Sequence, residues 1–551
     1  MNARLPSSQI LQGSQRGTTD ATGATDTDAS PFNTAQALSQ ITAQWDGDIV
    51  QQLTDYIAIP AKSPMFDSDW AQHGYIDTVV RNAAAWVEAQ KVEGLTLEIV
   101  RLEGRTPLLF FEIAASSGGG QAHAARRAGP APLPAGAVEP ALPGHRRSAP
   151  SGGSEPREAG SVGATVLFYG HLDKQPEFTG WRSDLGPWTP KYQDGKLYGR
   201  GGADDGYAVY ASIAAVQALK SQGVAHPRIV GMIETCEESG SRDLLPYINA
   251  LKTRLGEVAL VVCLDSGAGN YDQLWLTTSL RGNAAGVLKV EVLTEGIHSG
   301  DASGLVPSSF RILRHLLDRL EDSQTGRLLP ASFHCEIPPD RLEQAQATAK
   351  ILGDEIYKRF PWAHYDCEGA SSFALPTTTD PVQALLNRTW RPTLSVTGAE
   401  GFPALKDAGN VLRPYSAFKL SLRFPPLIDA GAAVRELKAL LEDNAPYQAK
   451  VTFESSGGAS GWNAPGAAPW FESALTDASQ SFFGAPCGTI GQGGTIPLMG
   501  MLSQGFPQAQ MMVCGVLGPK SNAHGPNEFL HVPYAKKLTA AVAQVIARMP
   551  G

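Results

Sequence analysis

Basic residues are in the minority: 45 Lys and Arg stand against 54 Asp and Glu, a formal charge of −9. Nucleic-acid and anionic-membrane partners usually demand a basic face, so neither is expected. No stretch reaches the roughly 18 uninterrupted apolar residues that a membrane span requires. Residues 1–31 are rich in Ser, Thr, Gly, Asp and Gln. They hold no apolar core behind a basic end, so no secretory signal is expected. Cysteine is sparse as well. The six (Cys236, Cys263, Cys335, Cys367, Cys487, Cys514) form no C-x-x-C pair, and several sit inside apolar runs. Buried, reduced thiols and a cytoplasmic location are the expectation. There is no internal repeat, and no G-x-S-x-G elbow leads into a suitable helix, which speaks against a serine hydrolase.

What is present is enough apolar material, 42% of 551 residues, for more than one core. Residues 1–33 and 116–162 have compositions that cannot bury enough apolar surface to offset ordering, and both are expected to be disordered. The second would be a long insertion between strands at Pro107–Ile113 and Ala164–Tyr169. Beyond it, strands and helices alternate: Tyr207–Lys220 as a helix, Arg228–Thr235 as a strand, Asp243–Leu255 as a helix, Ala259–Leu264 as a strand. Gln508–Val516 gives a further strand and Tyr534–Met549 a closing helix. This alternation predicts an α/β domain with a mainly parallel sheet, in two parts, 34–279 and 427–551. Residues 280–426 have another texture: strands at Ala285–Val292 and Phe418–Phe424 bracket a helix at Ser308–Leu320, which predicts an inserted α+β domain.

Acidic residues and histidines follow these strands: His171 and Asp173, Asp204 and Asp205, Glu237 and Glu238, Asp265, and His524. Any one cluster is more often a turn or a solvated charge. Their recurrence after separate apolar strands is harder to explain that way, because ligands of open α/β sheets bind beyond the carboxyl ends of the strands. Imidazole and carboxylate suit zinc, manganese or cobalt. Five such ligands serve two ions only if one bridges, and a carboxylate can.

The segments GHLDKQP, GRGGADDG, EESGS, LDSG and AHGPNE resemble, in order, the signature of the M20 metallopeptidases, nearest to their carnosinase and nonspecific-dipeptidase branch. The resemblance covers the chain from about residue 45, apart from the insertion. It implies a di-metal hydrolase domain with an inserted lid and dimerisation domain, and two divalent ions, Zn2+ first, with Mn2+ or Co2+ as alternatives. His171 and Asp265 would hold one ion, Glu238 and His524 the other, and Asp204 would bridge. Asp173 would orient His171, Glu237 would act as general base, and the Asp204–Asp205 peptide would be cis. His298, in Gly296–Gly300, would reach the active site of the partner subunit in a homodimer. Arg423, Asn410 and the Gly494-Thr495 turn would contact substrate. The chain departs from the pattern at Gly206, where a Lys usually precedes the Gly, and at Gly491-Gln492, where an Arg-Glu pair is usual. Small peptides are the implied substrates, with N-acyl amino acids as the alternative. A metal-binding dimeric scaffold without catalysis is a third possibility, against which the presence of Glu237 argues.

Overall fold

The computed structural model describes residues 32–116, 164–367 and 370–550. Both segments expected to be disordered thus lie outside the described residues except at their ends. There Phe32 is buried, Asn33 caps the first helix by accepting from the Gln36 amide, and Ser116 bridges to His226.

The longer strands are β1 (Leu95–Val100), β2 (Leu108–Ile113), β3 (Ala164–His171), β4 (Arg228–Glu234), β5 (Glu257–Cys263), β6 (Trp275–Leu280), β7 (Gly282–Glu291), β8 (Thr393–Glu400), β9 (Tyr415–Phe424), β10 (Lys450–Ala459), β11 (Gly488–Gln492) and β12 (Gln510–Val513). The helices used below are α1 (Ala208–Ser221), α2 (Leu244–Leu255), α3 (Ser309–Leu317), α4 (Pro339–Leu352), α5 (Pro381–Thr389), α6 (Ala430–Glu442) and α7 (Val532–Ala547).

The central sheet has the order β1-β2-β4-β3-β5-β12. Its last four strands are parallel; β1 and β2 pair antiparallel at one edge. Side chains alternate across a strand, and β3 shows the result. Val166 and Phe168 enter one core with α1 and α7, while Leu167 and Tyr169 enter the opposite core with α2. A sheet buried on both faces reads in sequence as a continuous apolar run. Where a ring must lie flat on the sheet, glycine stands: a Cβ on Gly231 of β4 would lie 2.1 Å from the Phe111 ring. The α1 sequence is alanine-rich and buried on nearly all sides, as a helix sandwiched between the sheet and α7 must be.

A second sheet, β8-β9-β7-β10, is antiparallel throughout. Alternate residues of β7 are buried, and Leu288, Val290, Leu420 and Leu422 pack there with Leu313 and Leu316 of α3 and Leu437 and Leu441 of α6. The expected end of this unit at 426 falls before β10 and α6, which share its hydrogen bonds and its core. A third sheet joins Trp462–Asn463, β6 and β11. Helices α4 and α5 turn back onto it: Thr348 donates to the Thr489 carbonyl, and Leu352 and Leu385 join the central core.

Candidate metal centre

Because β3, β4, β5 and β12 run parallel, their carboxyl ends open on one rim. β3 ends in His171, Glu237 and Glu238 follow β4, Asp265 follows β5, and the loop after β12 carries His524. Asp204 comes from the buried turn that opens α1. The chain crosses from β4 to β5 on either side of β3, a switch point at which such sheets form crevices.

His171 is fully buried. Its Nδ1 lies 3.0 Å from the Asp173 backbone carbonyl and 3.5 Å from the Asp173 carboxylate. Nε2 faces Asp204 at 3.5 Å and Asp265 at 3.8 Å, and has no hydrogen-bond partner among the described residues. His524 Nε2 lies 2.9 Å from the other Asp204 oxygen and 3.4 Å from Glu238. One carboxylate thus faces two imidazoles. Asp173 works mainly on the backbone: its two oxygens accept the amides of Glu237, at 3.1 Å, and Glu238, at 3.0 Å. The Asp204–Asp205 peptide is cis, as the resemblance implied.

Two groups bring ligand atoms within 4.8 Å of one another, His171 with Glu237 and Asp265, and His171 with Asp204 and Glu238. Donors held about 2.1 Å from one tetrahedral zinc ion lie about 3.4 Å apart, which the separations here match. The orphaned Nε2 of a buried imidazole points the same way, and so do the charges. Burial holds Glu237 and Asp265 well above the usual carboxylate range, with neighbouring carboxylates adding to it. Burial likewise pushes Glu238 up to about 7, with Asp204 and Asp173 adding and His524 opposing. Burial works against a charged His524, but Glu238 and Asp204 hold it up at about 10. Cations relieve such crowding of buried negative charge. The residues present fit a pair of divalent ions.

Several residues that hold the site in place were not picked out from the sequence. Arg200 and Glu528, 1% and 0% exposed, form a buried ion pair. Glu528 also accepts the Gly201 amide, and Arg200 donates to the His524 and Gly525 carbonyls. The pair therefore locks the Asp204 turn to the His524 loop. That loop is tightly wound, with Lys520, Asn522, His524 and Asn527 all at left-handed φ. Lys174, also buried, caps the Tyr56 and Ile59 carbonyls and lies 3.8 Å over the Tyr56 ring. That ring explains Gly206, where an added Cβ would meet it at 2.2 Å. The available signal was a charge in a turn-forming run close to a candidate ligand, in GRGG and in GPNE. Removing one partner of a buried pair typically costs about 3–5 kcal/mol. Glu528→Ala is expected to lower unfolding stability by that order in urea titrations; a change under about 1 kcal/mol would show the pair to be dispensable.

A cavity of about 790 Å³ opens on the rim, lined by Asp204, Glu237, Asp265 and His524, and by Gly494 and Thr495 from the turn after β11. Arg423 has no carboxylate partner among the described residues, and its Nη1 donates to Thr495 Oγ1 at 3.0 Å. His298 and Asn410 do not line this cavity. They sit together on a two-stranded ribbon, Ile297–His298 with Val411–Leu412, where His298 is exposed and the Asn410 carbonyl accepts the Ser299 amide.

A model of peptidase family M20/M25/M40 matches residues 167–548. The chain belongs to this peptidase family. Over 386 residues this M20 chain is 29% identical to a cysteinylglycine-S-conjugate dipeptidase of Corynebacterium striatum, covering 68% of the chain and 79% of that protein. It is 30% identical over 298 residues to the Beta-Ala-His dipeptidase of Homo sapiens, covering 53% of the chain and 55% of that protein. Among solved structures, the di-peptidase Dug1p of Saccharomyces cerevisiae shares the fold. Its TM-score is 0.69 at 20% identity, covering 95% of this M20 chain and 99% of that one. The chain is a hydrolase, with groups that suit metal ions at the rim of its parallel sheet. Among the described residues no helix is long and apolar enough to cross a membrane.

Proposed function

We propose that the chain hydrolyses dipeptides and small peptides with the help of two divalent ions. His171 and Asp265 would hold one ion, and Glu238 and His524 the other, with Asp204 between them. The observation that carries this reading is the Asp204 carboxylate, set 3.5 Å from one imidazole and 2.9 Å from the other. Bound there, Zn2+, Mn2+ or Co2+ supplies Lewis acidity that acidifies water and polarises the scissile carbonyl. Glu237 takes the proton of the attacking water and returns it to the leaving nitrogen. Asp173 holds the amides of both glutamates, so that one can serve as ligand while its neighbour stays free to move protons. Arg423, seated through Thr495, would receive the substrate carboxylate.

We also take the second sheet, with β10 and α6, as a lid through which two copies meet. Exposed Phe310 and Phe402, packed against Phe418, support that contact. His298 and Asn410, which do not line their own chain's cavity, would serve the partner's. The free Cys236, Cys263 and Cys514, all buried, suit a reducing cytoplasm.

Gln492 favours a second reading, cleavage of N-acyl amino acids. It lines the cavity as a neutral carboxamide, and at Gly491 a Cβ would lie 2.6 Å from Ser279. Assay of metal-loaded protein on dipeptides beside N-acetyl amino acids separates the two. At least tenfold higher kcat/KM on dipeptides is expected, and the reverse order would establish an acylase.

A further inference from the structure

Glu238 and Glu237 are adjacent in sequence, yet their carboxylates are held differently. Gln175 Nε2 donates to Glu238 Oε2 at 2.6 Å, and the Glu238 side chain is 4% exposed. The backbone there is fixed on both sides. Asp173 accepts the Glu238 amide, and the next residue, Ser239, sets its Oγ 2.5 Å from Ser63 Oγ and accepts the Met65 amide. Only the single bonds out to the carboxylate remain free to turn, and the Gln175 carboxamide removes that freedom. The Glu237 carboxylate accepts no hydrogen bond among the described residues; only its amide is held.

Local structure aims Gln175. It follows the buried Lys174, whose amide donates to the Ala61 carbonyl and whose own carbonyl accepts the Ser63 amide. The Lys174 ammonium is turned inward to the Tyr56 and Ile59 carbonyls, at 2.7 and 2.8 Å. In an extended segment the next side chain points the opposite way, which here is towards the rim. The two imidazoles are supported unequally as well. His171 Nδ1 has the Asp173 backbone carbonyl at 3.0 Å. The His524 ring meets, among the described residues, only the carboxylates of Asp204 and Glu238. On the His524 side of the centre, Gln175 is therefore the neutral group that orders a candidate ligand's side chain.

We infer that Gln175 is a positioning residue for the ion held by Glu238 and His524: it fixes Glu238 as a ligand and leaves Glu237 free as the base. This rests on the two-ion reading above. An ionised carboxylate has about four lone-pair positions, so Glu238 can accept the carboxamide and still face an ion. Removing an outer partner of this kind typically weakens metal affinity by about 10–100-fold. The effect is confined to one of the two ions, because His171 and Asp265 make no contact with Gln175 among the described residues.

The test is metal binding, read apart from turnover. Metal-free wild-type, Gln175→Met and Glu238→Gln proteins are titrated with Co2+, followed by calorimetry and by the visible absorption of the bound ion. Methionine keeps the length of the side chain and cannot donate. Two binding steps are expected for wild type. Gln175→Met is expected to weaken, by about tenfold or more, the same step that Glu238→Gln weakens, and to leave the other step and the melting temperature of the metal-free protein unchanged. Equal loss in both steps would mark a merely structural role, and no loss in either would show the carboxamide to be idle; both results overturn the inference. If wild type takes up a single ion, the two-ion reading fails by itself. Gln175 then keeps its role where both variants weaken that one step alike, and loses it where only Glu238→Gln does.

Discussion

Glutamine at position 237 is expected to lower kcat by about 10²–10⁴-fold or more while metal content stays near two ions per chain. The side chain keeps its volume and loses only the ability to accept and return a proton. Metal binding should survive, since Asp173 grips the backbone amides of residues 237 and 238 and not the Glu237 carboxylate. Glu237 does stand among possible ligand atoms, with His171 and Asp265, so elemental analysis must accompany the kinetics. Loss of metal together with activity would make Glu237 a ligand. An unchanged kcat would remove it from the chemistry altogether.

Chelation should abolish turnover and also give the fold an unusual response to pH. Without cations, Glu238 titrates at about 7, against an ordinary value of 4.5. The folded chain then keeps a proton that the unfolded chain releases, so stability falls as pH rises through that interval. His524 is held up at about 10 against an ordinary 6.5. Its contribution is complete below the lower value and is lost as pH climbs towards the higher one, a slope of the same sign. Metal-free protein should therefore melt at progressively lower temperature between about pH 5 and pH 9, and metal-loaded protein should show a much flatter profile. A melting temperature of the metal-free chain that rises across this range would contradict the charge arrangement described here.

The parallel strands were legible because burial on both faces leaves continuous apolar runs, as in Ala164–Tyr169 and Ala259–Leu264. The clusters of histidine and carboxylate that meet at the rim were legible because most of them follow those runs. The boundary at 426 misplaced β10 and α6, since an apolar period reveals a helix or strand but not which layer it joins. For the same reason α4 and α5 gave no sign of returning to the third sheet. Arg200, Glu528 and Lys174 were passed over because a lone charge in sequence reads as solvated; only the folded chain shows each one sealed among carbonyls or against an opposite charge.

The bond from Arg200 to the His524 carbonyl spans 324 residues. Contacts of such separation form late, after the closure entropy of the intervening chain has been overcome. During synthesis the growing polypeptide can present His171, Asp204, Glu238 and Asp265 long before the last imidazole leaves the ribosome. On the di-metal reading proposed above, the site would be completed only once the His524 loop is in place, as the last step of maturation.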